Sequence, residues 1–358
     1  MKVIVFGATG VVGRAAVEHF ATVADEVIGV SRRPGDVAGV THVGLDLTDE
    51  SAHAQSSASP AFAGTTHVVY AALQESPDLV SGWRDRELMD RNLRMFNRAL
   101  DPLVTAHGGS LQHVSLLQGA KAYGLHVGKS PIPAKERSPR DAHDNFYFLH
   151  EDALLEFAAG HGFGWTILRP QVVYGESFAS PMNLLPAIGV YATLARERGQ
   201  ALSFPGGGRG IHEAVDARLL ARVLEWAATA RSARNEIFNV TNGDVFDWHD
   251  VWAAIADAFD MAVGEPQPQR LAEKMPPRAE EWATAVDRYD LRAPRDLADF
   301  VGGSWQYADI LFAGTDRRAL PALLSTVKLR QAGFAECIDT EDMFREWFEI
   351  FRERRLLP

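Results

Sequence analysis

Tyr147 and Lys121 are the residues whose types and placement point most directly to chemistry. Tyr147 lies in Asp144-Asn145-Phe146-Tyr147-Phe148, where a helical pattern begins. Lys121 lies in Gln118-Gly119-Ala120-Lys121-Ala122-Tyr123-Gly124, just after a predicted strand. A tyrosine that takes a proton from an alcohol needs a cation close by to lower its pKa, and a Tyr-x-x-x-Lys spacing supplies one. Four residues after Tyr147 the chain has Glu151 instead. A tyrosine kept with its lysine relocated implies a site that polarises a carbonyl without that proton relay. Ser115, at the end of the strand preceding Lys121, is a third polar group beside the pair.

The elements that must position these residues alternate in type. Short apolar runs at 3–6, 26–30, 68–71, 111–115 and 166–168 read as buried parallel strands, and helical patterns at 13–20, 83–106 and 147–159 lie between them. This predicts an α/β fold, a doubly wound parallel-sheet Rossmann domain over residues 1–175. Lys121 and Tyr147 then fall over the carboxyl ends of the strands, where open sheets bind ligands. From about 176 the pattern is irregular, with helical segments at 182–198, 217–229 and 248–259. Residues 176–358 are therefore expected to form a smaller, mostly helical substrate-binding lobe. It is interleaved with the first domain, because a late strand near 236–241 returns to the sheet. Residues 266–277, with Pro266, Pro268, Pro276 and Pro277, read as a linker, and 343–351 as an amphipathic helix docking onto the lobe.

Gly7-Ala8-Thr9-Gly10-Val11-Val12-Gly13 follows the first strand and opens a helix. Glycines here let the backbone turn sharply and approach a pyrophosphate, while the helix N-terminus offers unpaired N–H groups to the anion. The second strand ends in Ser31-Arg32-Arg33 rather than in an acid. Two guanidiniums favour a ribose 2′-phosphate, which predicts NADPH/NADP+ over NADH. Asp46 and Leu47 are positioned to cover the adenine, with Asp46 open to a plain turn role. Ala71, Ser115, Tyr147 and Val173 are assigned to the same groove.

Composition narrows the classes further. Over 358 residues, 46% hydrophobic and 9% aromatic content suffices for a packed core, and a net charge of -11 argues against broad binding to nucleic acid or anionic membrane. Cys337 is the single cysteine, which excludes an intrachain disulfide and an all-cysteine metal cage. The histidines, His42, His67, His107, His113, His126, His143 and His150 among them, lack metal-ligand spacing, so no metal site is expected. His150-Glu151-Asp152 reads as a solvated face complementing the helix dipole. The opening apolar run is too short for a signal segment, and nothing approaches the ~20 apolar residues of a membrane span. The expectation is a cytoplasmic protein.

The Gly-x-x-Gly-x-x-Gly spacing resembles the extended short-chain dehydrogenase/reductase superfamily. Thr66–Tyr70, Leu117–Tyr123, Asn145–Phe148, Glu151-Asp152, Met182-Asn183-Leu184 with Val190-Tyr191-Ala192, and Asn235–Phe246 resemble its progesterone 5β-reductase/iridoid synthase branch over nearly the whole chain. The resemblance implies NADPH-dependent reduction of an activated C=C bond, with hydride added β to a carbonyl. It puts the catalytic pair on Tyr147 and Lys121. Phe148 departs from a second tyrosine often found there, and Arg169-Pro170-Gln171-Val172-Val173-Tyr174-Gly175 reads more like sugar-nucleotide enzymes. One rival is therefore a sugar-nucleotide epimerase, dehydratase or ketoreductase, with Arg209 of the loop 206–210 meeting a diphosphate. A second is a non-catalytic NADP-binding regulator. The expected partner is a small apolar enone, with steroid, monoterpene dialdehyde and small cyclic enones all compatible. Phe178, Trp305 and Phe312 are candidates for its pocket, and the helix at 83–106 offers a homodimer face.

Overall fold

β1 (Lys2–Phe6) is buried from Val3 onward, and its neighbours are of the same kind, so the sheet they build is covered on both faces. In the computed structural model, which describes residues 1–128, 130–140, 142–312 and 322–358, the other strands follow in chain order. They are β2 (Glu26–Ser31), β3 (Thr41–Gly44), β4 (His67–Tyr70), β5 (His113–Leu117), β6 (Gly164–Pro170), β7 (Val172–Tyr174), β8 (Leu202–Ser203), β9 (Ala214–Asp216), β10 (Glu236–Val240) and β11 (Val263–Gly264). Seven of them form a parallel sheet in the order β10-β6-β5-β4-β1-β2-β3. The reversal of direction at β1 and β4 opens a crevice at the strands' carboxyl ends. β10 returns to the sheet edge as expected, pairing Glu236 with Thr166 and Val240 with Pro170.

α1 (Val11–Val23) covers one face and buries Ala16, Val17 and Phe20 with Leu220 and Phe238. α2 (Ala52–Ala58), the short α3 (Leu79–Gly82), α4 (Arg86–Thr105) and α5 (Phe146–His161) follow. Phe62, Phe96 and Leu154 from this part of the chain fill the opposite face. α4 begins three residues later than the pattern suggests, because the Asp85 carboxylate caps the N–H groups of Glu87 and Leu88. Trp83 is left in the turn before it.

The second lobe is built on α6 (Leu184–Glu197), which buries every residue from Leu184 to Ala195. A helix apolar all round must be enclosed. α7 (Ala217–Thr229) packs with α1, α8 (Trp248–Ala258) packs under the helix Thr340–Glu353, and Trp282 stacks on Phe300 at 5.2 Å. Each such side chain stabilises the lobe by roughly 1.5–3 kcal/mol. Among the described residues no helix is long and apolar enough to cross a membrane.

Two expectations are corrected here. Residues 266–277 are no linker: Leu271 and Met275 are 1% exposed within the lobe's core. Their segment forms the helix Leu271–Lys274, whose first N–H groups are held by Asp309, and Pro276 opens a further turn. Ser115 does not end its strand, because β5 runs on to Leu117. Val114 and Leu116 face one helical layer, so Ser115 is buried toward the other.

Candidate active site

A cavity of about 640 Å³ runs along the carboxyl ends of the strands and continues under the second lobe. At one end, Gly7 has φ 84° and lies so close to the next strand that a Cβ would sit 2.8 Å from the Ala71 backbone. A Cβ on Gly13 would sit 2.0 Å from the Gly7 carbonyl oxygen. Gly13 therefore does not line the cavity; it lets α1 close against the turn. Gly10, which caps α1, supplies no side-chain hydrogen bond, so the helix N-terminus presents its N–H groups to the groove.

Thr9, Val11, Val12, Ser31, Arg32, Arg33, Asp46, Leu47, Ala71 and Val173 all line the cavity with Gly7 and Gly10; Ser115 does not. Both arginines are exposed, and Arg33 Nη2 donates across the mouth to the Phe178 carbonyl at 2.9 Å. Asp46 also takes the turn role, accepting from the Thr48 N–H and hydroxyl. The deep glycine turn and the open helix end fit a dinucleotide, and the two arginines stand at the far rim.

At the other end, α5 starts where Asn145 Oδ1 accepts from the Tyr147 N–H at 3.0 Å. The same side chain donates through Nδ2 to the Lys121 carbonyl at 3.0 Å, tying the two candidate residues together. The Tyr147 hydroxyl reaches past Gly119, where a Cβ would stand 3.1 Å from it and 3.5 Å from the Pro170 carbonyl oxygen. Burial, assisted by the negative charge of Glu75 and by Tyr307, raises the Tyr147 pKa far above the usual phenol value. Lys121 Nζ lies 3.3 Å from Glu75 Oε1 and 4.7 Å from the Trp83 ring centre. Burial lowers its pKa, and Glu75 works against that shift.

Glu151, at the position of the absent lysine, belongs to a separate buried network. It accepts from Arg169 Nη2 and Gln118 Nε2, each at 3.1 Å, and pairs with Arg140 at 2.8 Å. Burial alone would raise its pKa, but Arg140, Gln118 and Arg169 hold the carboxyl below its usual range. The expected solvated face is thus corrected. His150 is 1% exposed, stacks on Phe96 at 5.1 Å and is pushed down to about 4 by burial, and only Asp152 faces solvent. That side of α5 is turned into the molecule against α4. Phe148 packs beside Arg140 and is absent from the cavity wall.

From the second lobe come Phe178, Met182, Ile211, Tyr307 and Ile310, an apolar wall with one buried acid, Glu213. Burial pushes Glu213 up to about 7, and it accepts from the Leu324 N–H at 2.7 Å. Trp305 and Phe312 pack in the lobe's core and not on the cavity. Arg209 is exposed and pairs with Asp250 at 3.2 Å, outside the cavity wall. Glu75, Trp83, Tyr307 and Glu213 carry no local sequence pattern that singles them out. Among the described residues no cluster has the makings of a metal site.

Known proteins agree with this architecture. The NAD dependent epimerase/dehydratase family matches residues 3–241. The (S)-8-oxocitronellyl enol synthases of Antirrhinum majus and Catharanthus roseus are each 30% identical, over 99% of this chain and 92% of theirs. A short chain dehydrogenase of Penicillium aethiopicum is 28% identical over 98% of both chains. Among solved structures, the Thermotoga maritima UDP-glucose 4-epimerase with UDP-glucose superposes with a TM-score of 0.68 at 17% identity over 99% of both chains. The Thermus thermophilus UDP-glucose 4-epimerase complex with NAD gives 0.66 at 20% identity, over 98% of this chain and 99% of that one. These two show a shared fold. The chain belongs to the NAD dependent epimerase/dehydratase family of extended short-chain dehydrogenase/reductases, on its progesterone 5β-reductase/iridoid synthase-like side, and is an enzyme of that oxidoreductase/epimerase kind.

Proposed function

We propose that this enzyme uses NADPH to reduce the C=C bond of α,β-unsaturated carbonyl compounds, with Tyr147 stabilising the enolate. The observation that carries this reading is the buried Tyr147 phenol, held protonated in the cavity while Glu151 is committed to Arg169 and Arg140. Bound NADPH would supply the hydride, delivered to the carbon β to the carbonyl. As charge moves onto the carbonyl oxygen, a neutral phenol pointing into the cavity donates a hydrogen bond to it. In comparable oxyanion sites one such donor contributes about 3–4 kcal/mol. Lys121 adds positive potential nearby, and the α-carbon takes its proton from water. Alcohol oxidation would instead need Tyr147 as a phenolate, which burial and Glu75 oppose.

Arg32 and Arg33 at the rim support a 2′-phosphate and hence NADPH. The apolar wall of the second lobe supports an apolar enone or enal. Relatives named as enol synthases are in keeping with a carbonyl-oxygen donor. The sugar-nucleotide alternative draws on the family and its solved structures, yet Arg209, its diphosphate partner, is taken up by Asp250. Replacing Tyr147 with Phe should lower kcat with an enone about 100- to 1,000-fold while NADPH affinity stays within about twofold. Unchanged turnover would overturn the assignment.

A further inference from the structure

We propose that Glu75 is a positioning residue of this site: its carboxylate pins the Lys121 ammonium against Trp83, so that Tyr147 faces a closed ion pair and not a mobile cation. The role rests on the enone-reductase reading of the same site. The Glu75 and Lys121 side chains are 4% and 14% exposed, with 3.3 Å between Nζ and Oε1. Trp83 holds the ammonium at 4.7 Å, and the Phe146 and Tyr147 rings lie at 5.6 and 5.8 Å. The Lys121 backbone is fixed by Asn145, so the ammonium is constrained from both ends.

The titratable groups facing this pair are Tyr147 of α5, Tyr307 of the helix Ser304–Leu311 and His126 of the turn Leu125–Val127. Burial lowers the His126 pKa, and His143, Lys121 and Arg84 lower it further. None of these is an anion at neutral pH, so Glu75 is the counter-charge they leave to be supplied. A buried ammonium stripped of its carboxylate gives up its proton more readily. Glu75 raises the pKa of Lys121 and of Tyr147 alike. Removing its charge therefore moves both in the same direction, downward. The alkaline limb of activity shifts to lower pH whichever of the two sets it.

The test uses the full-length protein labelled with 13Cε-lysine, the Lys121 signal being assigned with a Lys121→Arg variant. In Glu75→Gln, Lys121 is expected to titrate about one pH unit lower than in the unaltered protein. The alkaline limb of kcat/KM with NADPH and 2-cyclohexen-1-one should move the same way. Glu75→Asp, whose carboxylate is withdrawn by one methylene, should move both part of the way, which keeps the test decidable if Glu75→Gln does not fold. Lys121 titrating as in the unaltered protein in both variants overturns the proposal. A shifted Lys121 titration in a protein that never consumes NADPH with the enone upholds the pairing and removes the enone reading instead.

Discussion

At the Gly7–Gly13 end the cavity is shaped by the backbone of one short segment, while at the Tyr147 end it is shaped by side chains from several distant segments. A Cβ is excluded at Gly7 and Gly13 by neighbouring main chain, and the N-terminus of α1 carries no side-chain cap. Around Tyr147, Glu75 comes from the loop after β4, Lys121 from the turn after β5, and Tyr307 from the second lobe. The first end tolerates exposure and relies on close approach. The second relies on burial, which sets the charge state of each group it encloses. A nucleotide site can thus be local in sequence, whereas a site that controls protonation has to be assembled from the whole fold.

The comparison can be strained hardest at Glu151, which looks like part of the catalytic end and is part of its scaffold. Glu151→Lys should destabilise the protein by about 3–5 kcal/mol, because it strands the buried Arg169 beside a second cation. Thermal unfolding checks this, and the variant should gain no ketone reduction. Next in size is Gly13→Ala, where the new methyl would have to displace the Gly7 carbonyl. NADPH affinity, measured by fluorescence quenching, should fall about 100-fold or more, equivalent to ~2.7 kcal/mol. Smaller effects belong to the rim. Arg32→Ala and Arg33→Ala should each raise the NADPH Kd about tenfold and leave the NADH Kd nearly unchanged. Equal losses for both cofactors would mean that the arginines do not read a 2′-phosphate.

Legibility in the sequence followed the same division. The strand positions and the glycine turn could be read because apolar runs and glycine spacing are local consequences of local geometry. The late strand Glu236–Val240 was legible for the same reason. Tyr147 and Lys121 were legible through spacing and resemblance, and both line the cavity. Glu75 and Tyr307 were not, because a lone acid or a helical tyrosine has no pattern until folding brings it beside Lys121 and Tyr147. His150 and Glu151 looked solvated because their partners, Phe96 and Arg169, sit on other elements. Ser115 was displaced from the site by a two-residue extension of its strand, a small error in boundary that decides whether a side chain meets the cavity or the core.

The central claim is that a protonated phenol makes this site suited to conjugate reduction and unsuited to alcohol–ketone exchange. Its most direct test is NADPH oxidation, followed by absorbance, with 2-cyclohexen-1-one and with cyclohexanone in parallel. The account predicts consumption with the enone alone, yielding the saturated ketone. Consumption with cyclohexanone, or with neither compound although NADPH binds, would contradict it.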